Sequence, residues 1–339
     1  MLTGLPTRTF FGAGAVSLLA LTQAHAEELS VVTYLSATHF GVTEGMQPFM
    51  DCVTAETAGA TTFNFYPSGQ LASAESSLDA LGNGLADIAY IVPQRASSKM
   101  PLTNVPVLPN MGDSSGEISA AYRKALEADG LLAEELRRNK LTLLTVNQYP
   151  PYQVGFTGGV VDTLDGFAGL KLRVIGGSAS STATVLGAVP VELSAADVYI
   201  ALQRGTVDGV FFPIAGMQAF KLDEVTKAIS TNANFGGSMA MIAMNSDTFG
   251  AMPKETQQIF LDCGMKSEEN LIAYQDGAQE RFLQEFEAGG VSVFAFPPEE
   301  LAKINAELDK TAEEFIARLE ARDLPGQAAY DEFRAALGR

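Results

Sequence analysis

The sequence contains no tryptophan, only two cysteines and only two histidines among its 339 residues. One histidine, His25, falls in a predicted leader segment, so His39 is the only one in the remaining chain. Two cysteines without nearby histidines do not make a zinc site. The sequence also lacks Gly-x-Ser-x-Gly, Walker-type, Gly-x-Gly-x-x-Gly and His-Glu-x-x-His motifs. We therefore expect no metal, no cofactor and no enzyme activity.

Positive charge is also scarce, since 22 lysines and arginines face 40 aspartates and glutamates, for a net charge of −18. Nucleic-acid binding needs a basic surface, so nucleic acid is excluded as a partner. The charge does not identify a ligand, because a single arginine can hold an anion inside an acidic protein.

Residues 1–26 have the pattern of a secretory signal peptide. Arg8 supplies the positive segment, residues 10–21 the apolar core, and Ala24-His25-Ala26 the cleavage site. We expect cleavage after Ala26 and export of the remainder. The alternative, a membrane anchor, is disfavoured because the apolar core is too short to span a bilayer.

The two cysteines, Cys52 and Cys263, both lie on predicted helices. An oxidising compartment permits a disulfide between them. One pair at this spacing is weak evidence, so two unpaired buried thiols stay an alternative.

Strands and helices alternate in the same order in two parts of the chain. The first part has strands predicted at 29–35, 61–66 and 86–92, separated by helices at 41–57 and 73–81. The second has strands at 170–175, 189–193 and 207–212, separated by helices at 178–186 and 194–204. The third units also align, since Gly84-x-x-Asp87 corresponds to Gly205-x-x-Asp208. This order predicts an α/β fold with two doubly wound lobes, whose ligands lie at the carboxyl ends of the strands.

The rest of the chain is predicted to be mainly helical. Helices are expected at 119–138, 217–229, 255–287 (broken or capped near Gly264) and 298–339, and strands at 142–147, 238–245 and 291–296.

Arg173 lies within the apolar alternation of the strand at 170–175. Burying an unpaired charge is costly, so this arginine needs a partner. Its planar fork suits a carboxylate. The pattern alone favours an internal ion pair with Asp or Glu over a ligand.

Four motifs in the same order resemble those of the solute-binding proteins of tripartite ATP-independent periplasmic (TRAP) transporters, the DctP-like family. The motifs are Phe65-Tyr66-Pro67-Ser68-Gly69-Gln70-Leu71, Gly169-Leu170-Lys171-Leu172-Arg173, Leu186-Gly187-Ala188-Val189-Pro190-Val191 and Ala201-Leu202-Gln203-Arg204-Gly205-Thr206-Val207-Asp208-Gly209. The resemblance covers the whole chain after the leader segment.

The resemblance implies a periplasmic binding protein-like fold of type II, with a hinge, an interlobe cleft and a long helix spanning both lobes. It assigns residues 27–150 and about 238–278 to the first lobe, and 151–237 and about 279–339 to the second. It further implies a protein that closes around a small organic acid and delivers it to membrane permease subunits. We expect this protein to be a periplasmic monomer. By the resemblance, Arg173 is the carboxylate-binding arginine, which reverses the preference for an ion pair.

Two positions depart from the pattern of many family members. Gln153 stands where a second basic residue is common, and Phe212 where a polar residue, often Asn, is common. These changes favour a monocarboxylate with an apolar or aromatic body over a sugar acid. The alternative is that Phe212 points into the core of its lobe.

Five further residues are candidates for the binding site: His39, Glu75, Tyr90, Gln94 and Arg95. His39 follows the first predicted strand, and the last three lie at the end of the third. A structural role is the alternative for His39, and helix capping for Glu75. As a whole, the sequence predicts a solute-binding protein. A periplasmic enzyme or a ligand-sensing subunit on the same scaffold is the alternative.

Overall fold

The computed structural model describes Met1, Gly4 and residues 27–339. The predicted signal peptide therefore lies outside the described residues, apart from Met1 and Gly4. Within the described chain, eleven strands form two sheets.

The strands of the first sheet come from the first half of the chain and one later segment. They are β1 (Glu27–Val32), β2 (Thr61–Tyr66), β3 (Ile88–Ile91), β4 (Leu141–Gln148) and β10 (Met239–Asn245). The second sheet contains β5 (Gln153–Phe156), β6 (Lys171–Val174), β7 (Val189–Glu192), β8 (Gly209–Phe212), β9 (Ala228–Ser230) and β11 (Ser292–Phe294).

Eleven α-helices pack on these sheets in the described chain. They are α1 (Gln47–Glu56), α2 (Ser77–Gly82), α3 (Ser115–Glu127), α4 (Leu131–Arg138), α5 (Ser178–Val185), α6 (Val198–Gln203), α7 (Ile214–Ala219), α8 (Ser246–Ala251), α9 (Lys254–Ala288), α10 (Pro298–Glu320) and α11 (Gly326–Leu337). We call the first sheet with the helices packed on it the first lobe, and the second sheet with its helices the second lobe. None of these helices is both long enough and apolar enough to cross a bilayer.

In each sheet three adjacent strands are parallel, and one strand, β10 or β5, runs antiparallel to both of its neighbours. The strand orders are β2-β1-β3-β10-β4 and β11-β9-β5-β8-β6-β7. β1 is parallel to β2 and β3, and β6 is parallel to β7 and β8. β10 and β5, which follow the two crossings between the lobes, run antiparallel to β3 and β8. The predicted two-lobe α/β fold is confirmed.

The repeated Gly-x-x-Asp motif has the same structural task in both lobes. Gly84 and Gly205 have φ angles of +71° and +67°, and they end α2 and α6. The Asp87 carboxylate accepts a hydrogen bond from the Ser30 backbone N–H at 2.8 Å, and the Asp208 carboxylate accepts one from Lys171 at 2.8 Å. The motif therefore attaches the third strand of each unit to the first strand.

Two predicted helices differ from the structure, which also contains a strand, β5, that the sequence did not reveal. The helix predicted at 119–138 is divided into α3 and α4 near Gly130, where the Glu332 carboxylate accepts hydrogen bonds from the Leu131 and Leu132 N–H groups. Residues 217–229, predicted as one helix, contain the end of α7, a turn and β9. β5 was not predicted, because a strand of four residues carries little periodicity.

Helix α9 is continuous over 35 residues, so the predicted break near Gly264 is wrong. Its Phe260 packs in the first lobe, and its Phe282 and Phe286 pack in the second. Gly264 lies against the backbone carbonyl of Leu144 in β4, so a glycine permits this close packing.

The C-terminal helices also contact both lobes. Ile304 and Leu308 of α10 pack in the second-lobe core, whereas Phe315 of α10 and Phe333 of α11 pack in the first. The lobe boundaries stay a prediction, and the C-terminal helices contribute side chains to the cores of both lobes. The amphipathic charge pattern did not indicate which lobe each apolar face covers.

Cys52 and Cys263 form a disulfide that joins α1 to α9, with their Cα atoms 5.7 Å apart. The bond closes a loop with a sequence separation of 211 residues. Cross-links over long loops stabilise a fold mainly by restricting the unfolded chain. Because α1 belongs to the first lobe, the disulfide also attaches the long helix α9 to that lobe.

Two glycines of α9 provide a matched test of this packing. Alanine normally stabilises a helix by about 1 kcal/mol relative to glycine. At Gly277, where nothing lies within 4 Å of an added Cβ, we expect Gly277→Ala to raise the free energy of unfolding by that amount. At Gly264 the new Cβ would collide with the Leu144 carbonyl, so Gly264→Ala should lower it by about 1–3 kcal/mol. Urea titrations measure both, and equal effects would contradict the close approach of α9 to β4.

Candidate functional site

The carboxyl ends of the parallel strands in both lobes face a common cleft. Cavities of about 590, 260 and 40 Å³ lie along it. Tyr34, which follows β1, lines all three. Arg173 of β6 lines the cavities of 260 and 40 Å³, together with Ile175 and Ala195. We call these three cavities the interlobe site, because residues from both lobes form their walls.

Arg173 is the most buried charge in the interlobe site, with 1 % of its surface exposed. Its Nε and Nη2 atoms donate hydrogen bonds to the backbone carbonyl of Leu193, at 3.0 and 2.9 Å. Its Nη1 atom is buried and has no hydrogen-bond partner. Burial lowers the pKa of Arg173 to about 10, so the group is charged at neutral pH. Within the described residues it forms no ion pair, contrary to what the strand pattern alone favoured.

Phe212 forms the apolar wall beside this arginine. The Arg173 guanidinium carbon lies 5.0 Å from the centroid of the Phe212 ring. Tyr152 stacks on the same ring at 6.1 Å, and Phe220 meets it edge-on at 5.7 Å. Phe212 lines the 40 Å³ cavity, whereas Phe211 faces the opposite side and stacks on Phe235 in the lobe core. This alternation is what a regular strand produces.

His39 lies between the cavities of 590 and 40 Å³ and lines both. Its Nδ1 atom accepts a hydrogen bond from the Gly41 N–H at 2.9 Å, so the neutral ring carries its proton on Nε2. The ring stacks on Phe40 at 4.4 Å and lies 5.5 Å from Phe220. Burial lowers the pKa of His39 to about 4. His39 is therefore a neutral hydrogen-bond donor at physiological pH.

Arg95 and Glu75 line the 260 Å³ cavity from the first lobe. The Arg95 side chain is 12 % exposed, and its Nη2 donates a hydrogen bond to the Leu193 carbonyl at 3.2 Å. Its Nη1 lies 3.4 Å from the Glu192 carboxylate, and its Nε lies 3.8 Å from that of Glu75.

Three predicted site residues line none of these cavities. The Gln153 side chain donates a hydrogen bond to the Ala233 carbonyl and accepts one from the Ser230 hydroxyl. Both ends of its amide are therefore bonded to residues of its own lobe. Tyr90 is fully buried and bonds Tyr149 and Asn147.

Gln94, the third of them, is buried and donates to the Gly237 carbonyl at 3.4 Å. For Tyr90 and Gln94, position near a strand end did not reveal which way the side chain points, and for Gln153 the family pattern did not reveal it. The structure therefore places them in the supporting framework.

The sequence analysis missed six aromatic residues that line the interlobe site: Tyr34, Phe40, Tyr149, Tyr152, Phe220 and Tyr274. Burial raises the pKa of Tyr34 and of Tyr152, so both hydroxyl groups stay protonated and can donate hydrogen bonds. Tyr34 could have been found, since it stands at the end of the first predicted strand. Phe220 lies on a segment predicted as part of a longer helix and carried no such signal. Within residues 27–339, no group of three or more His, Cys, Asp or Glu side chains could hold a metal ion.

A family model and a sequence relative both match this chain to bacterial solute-binding proteins. The model of "Bacterial extracellular solute-binding protein, family 7" matches residues 32–319. The C4-dicarboxylate-binding periplasmic protein DctP of Rhodobacter capsulatus is 24% identical over 307 residues, which cover 87% of this chain and 88% of the relative.

Solved structures of TRAP solute-binding proteins have the same fold. One from Rhodoferax ferrireducens, in complex with copurified benzoate, superimposes with a TM-score of 0.83 at 21% identity and covers 92% of this chain and 97% of its own. One from Bordetella bronchiseptica, with bound (R)- and (S)-mandelate, has a TM-score of 0.79 at 25% identity and covers 92% and 98%.

The pKa of His39 predicts a specific pH dependence of stability. The native pKa of about 4 lies below the ordinary 6.5, so the unfolded chain binds the proton more readily. Between these two values, His39 therefore makes stability fall as the pH falls, by up to about 1.4 kcal/mol per pH unit. His39→Asn, whose side-chain oxygen can accept the same hydrogen bond, should lose this contribution. Thermal melts from pH 7 to pH 4 measure it, and parallel curves for the two proteins would contradict the burial of a neutral ring.

Proposed function

Since this chain belongs to bacterial extracellular solute-binding protein family 7, we propose that it binds a small monocarboxylate with an apolar or aromatic body. The family consists of receptors that bind a solute for a transporter, so this protein is a TRAP receptor for organic acids and not an enzyme. Permease subunits of the transporter are its partners. The proposal adds that it is a monomer, exported to the periplasm with cleavage after Ala26.

The observation that carries the proposal is the unpartnered Nη1 atom of Arg173. A buried guanidinium whose charge no acid neutralises is costly. A ligand carboxylate next to Nη1 would supply both the missing hydrogen-bond acceptor and the missing negative charge. Because the Leu193 carbonyl holds Nε and Nη2, the orientation of the guanidinium is fixed before a ligand binds.

The aromatic wall supports an apolar ligand body. Phe212, Tyr152 and Phe220 form a continuous set of ring contacts beside Arg173. Ring stacking contributes about 0.5–1.5 kcal/mol beyond area burial. A sugar acid would bury hydroxyl groups against these rings, and each lost hydrogen bond costs about 1–3 kcal/mol. The benzoate and mandelate bound by two structural relatives fit the same chemistry.

A thermal-shift screen tests the ligand class. The probes are benzoate, (R)-mandelate, pyroglutamate, succinate and D-galacturonate, with Phe212→Asn as the variant. Ligand at a hundred times its Kd should stabilise the fold by about 2.7 kcal/mol. We expect benzoate or mandelate to raise Tm most in the wild type, and Phe212→Asn to reduce that rise while it stays folded. Galacturonate as the best wild-type binder would overturn the proposed class.

Arg173→Lys keeps the charge but loses the planar fork that bonds Leu193 and the ligand. We expect the binding free energy of the best acid to weaken by about 1.5–3 kcal/mol, measured by calorimetry. Arg204→Lys, on the exposed end of α6 in the same lobe, is the matched control and should bind as the wild type does. Unchanged affinity of Arg173→Lys would mean that another group holds the carboxylate.

A further inference from the structure

Arg95 and Arg173 converge on one acceptor from opposite sides of the cleft. Arg173, in β6 of the second lobe, donates Nε and Nη2 to the Leu193 carbonyl. Arg95 follows β3 of the first lobe, and it donates Nη2 to the same carbonyl at 3.2 Å. Both side chains line the 260 Å³ cavity. Two guanidinium groups thus lie side by side, although like charges repel.

The carboxylates near Arg95 do not balance this pair. Glu192 and Glu75 lie 3.4 and 3.8 Å from Arg95, and their side chains are 58% and 56% exposed. Exposed ion pairs of this kind contribute little, because water screens them. Neither acid is hydrogen-bonded to Arg173, whose Nη1 has no partner. Arg173 therefore has no hydrogen-bonded negative charge at the point where the lobes meet.

We propose that Arg95 is the closure residue of this receptor, since it completes a two-arginine carboxylate site only when the first lobe reaches Leu193 of the second. This inference rests on the proposed function. A bound carboxylate between the two guanidinium groups attracts both of them and offsets the repulsion that opposes closure. An open cleft would keep Arg173 but not Arg95 next to the anion. Closure is thus coupled to the charge of the ligand, and the site selects for acids over neutral isosteres.

Glu75 separates this role from a structural one. If Arg95 merely held surface ion pairs, Glu75→Gln and Arg95→Gln would both lower the affinity for the acid. In our proposal Glu75 competes with the ligand carboxylate for Arg95. Glu75→Gln should then leave affinity unchanged or raise it about two- to fivefold, whereas Arg95→Gln lowers it about 10- to 100-fold.

The experiment combines calorimetry with small-angle X-ray scattering on the full mature chain. The acid is whichever of benzoate, (R)-mandelate, pyroglutamate, succinate and D-galacturonate the wild type binds most tightly. We expect the saturated wild type and the control Arg137→Gln, at an exposed surface pair, to become more compact. Arg95→Gln should stay extended even at saturation, and Arg95→Lys should be intermediate in affinity and compaction.

The outcomes distinguish the two proposals. A wild type that binds none of the five acids overturns the proposed function and this inference with it. A wild type that binds without compaction, or an Arg95→Gln protein that binds and compacts like the wild type, overturns the closure role alone. A similar loss of affinity in Glu75→Gln and in Arg95→Gln would also overturn the closure role. Should Arg95→Gln not fold, Arg95→Lys decides: affinity and compaction equal to the wild type would contradict the role.

Discussion

The guanidinium of Arg173 is the constraint on which the rest of the site depends. It is buried and charged, it is bonded on one side to a backbone carbonyl, and its Nη1 has no partner. A fold can keep such a group only when the surrounding structure is stable enough to carry its cost. That stability comes from the lobe core behind it, where Phe211 and Phe235 stack, and from the parallel pairing of β6 with β7 and β8.

The framework that carries this site is also the framework that joins the lobes. Helix α9 contributes apolar side chains to both cores, and it is attached to the first lobe by the disulfide and by the buried Glu268, which accepts from Arg123 and from the Val146 N–H. Its Gln275 donates to the Gln148 carbonyl, at the crossing between the lobes. Helix α9 therefore joins the two lobes whose arginines, Arg95 and Arg173, meet at the Leu193 carbonyl.

The sequence predicts the elements that repeat in both lobes, but it does not predict the direction in which individual side chains point. The Gly-x-x-Asp repeat was visible because both lobes need the same turn and the same carboxylate tether. The period-two alternation distinguished Phe211 from Phe212, and the structure places them on opposite faces. Nothing in the sequence indicated that the Gln153 amide is occupied within its own lobe. Strand ends likewise nominated Tyr90 and Arg95 equally, although only Arg95 reaches the cleft.

We propose that a ligand carboxylate binds at the Nη1 atom of Arg173. A crystal structure of the protein with its tightest-binding acid tests this proposal. We expect a carboxylate oxygen about 3 Å from Nη1 and the apolar body of the acid against the Phe212 ring. An acid bound with its carboxylate elsewhere in the cleft, and with Nη1 still unpartnered, would contradict the account.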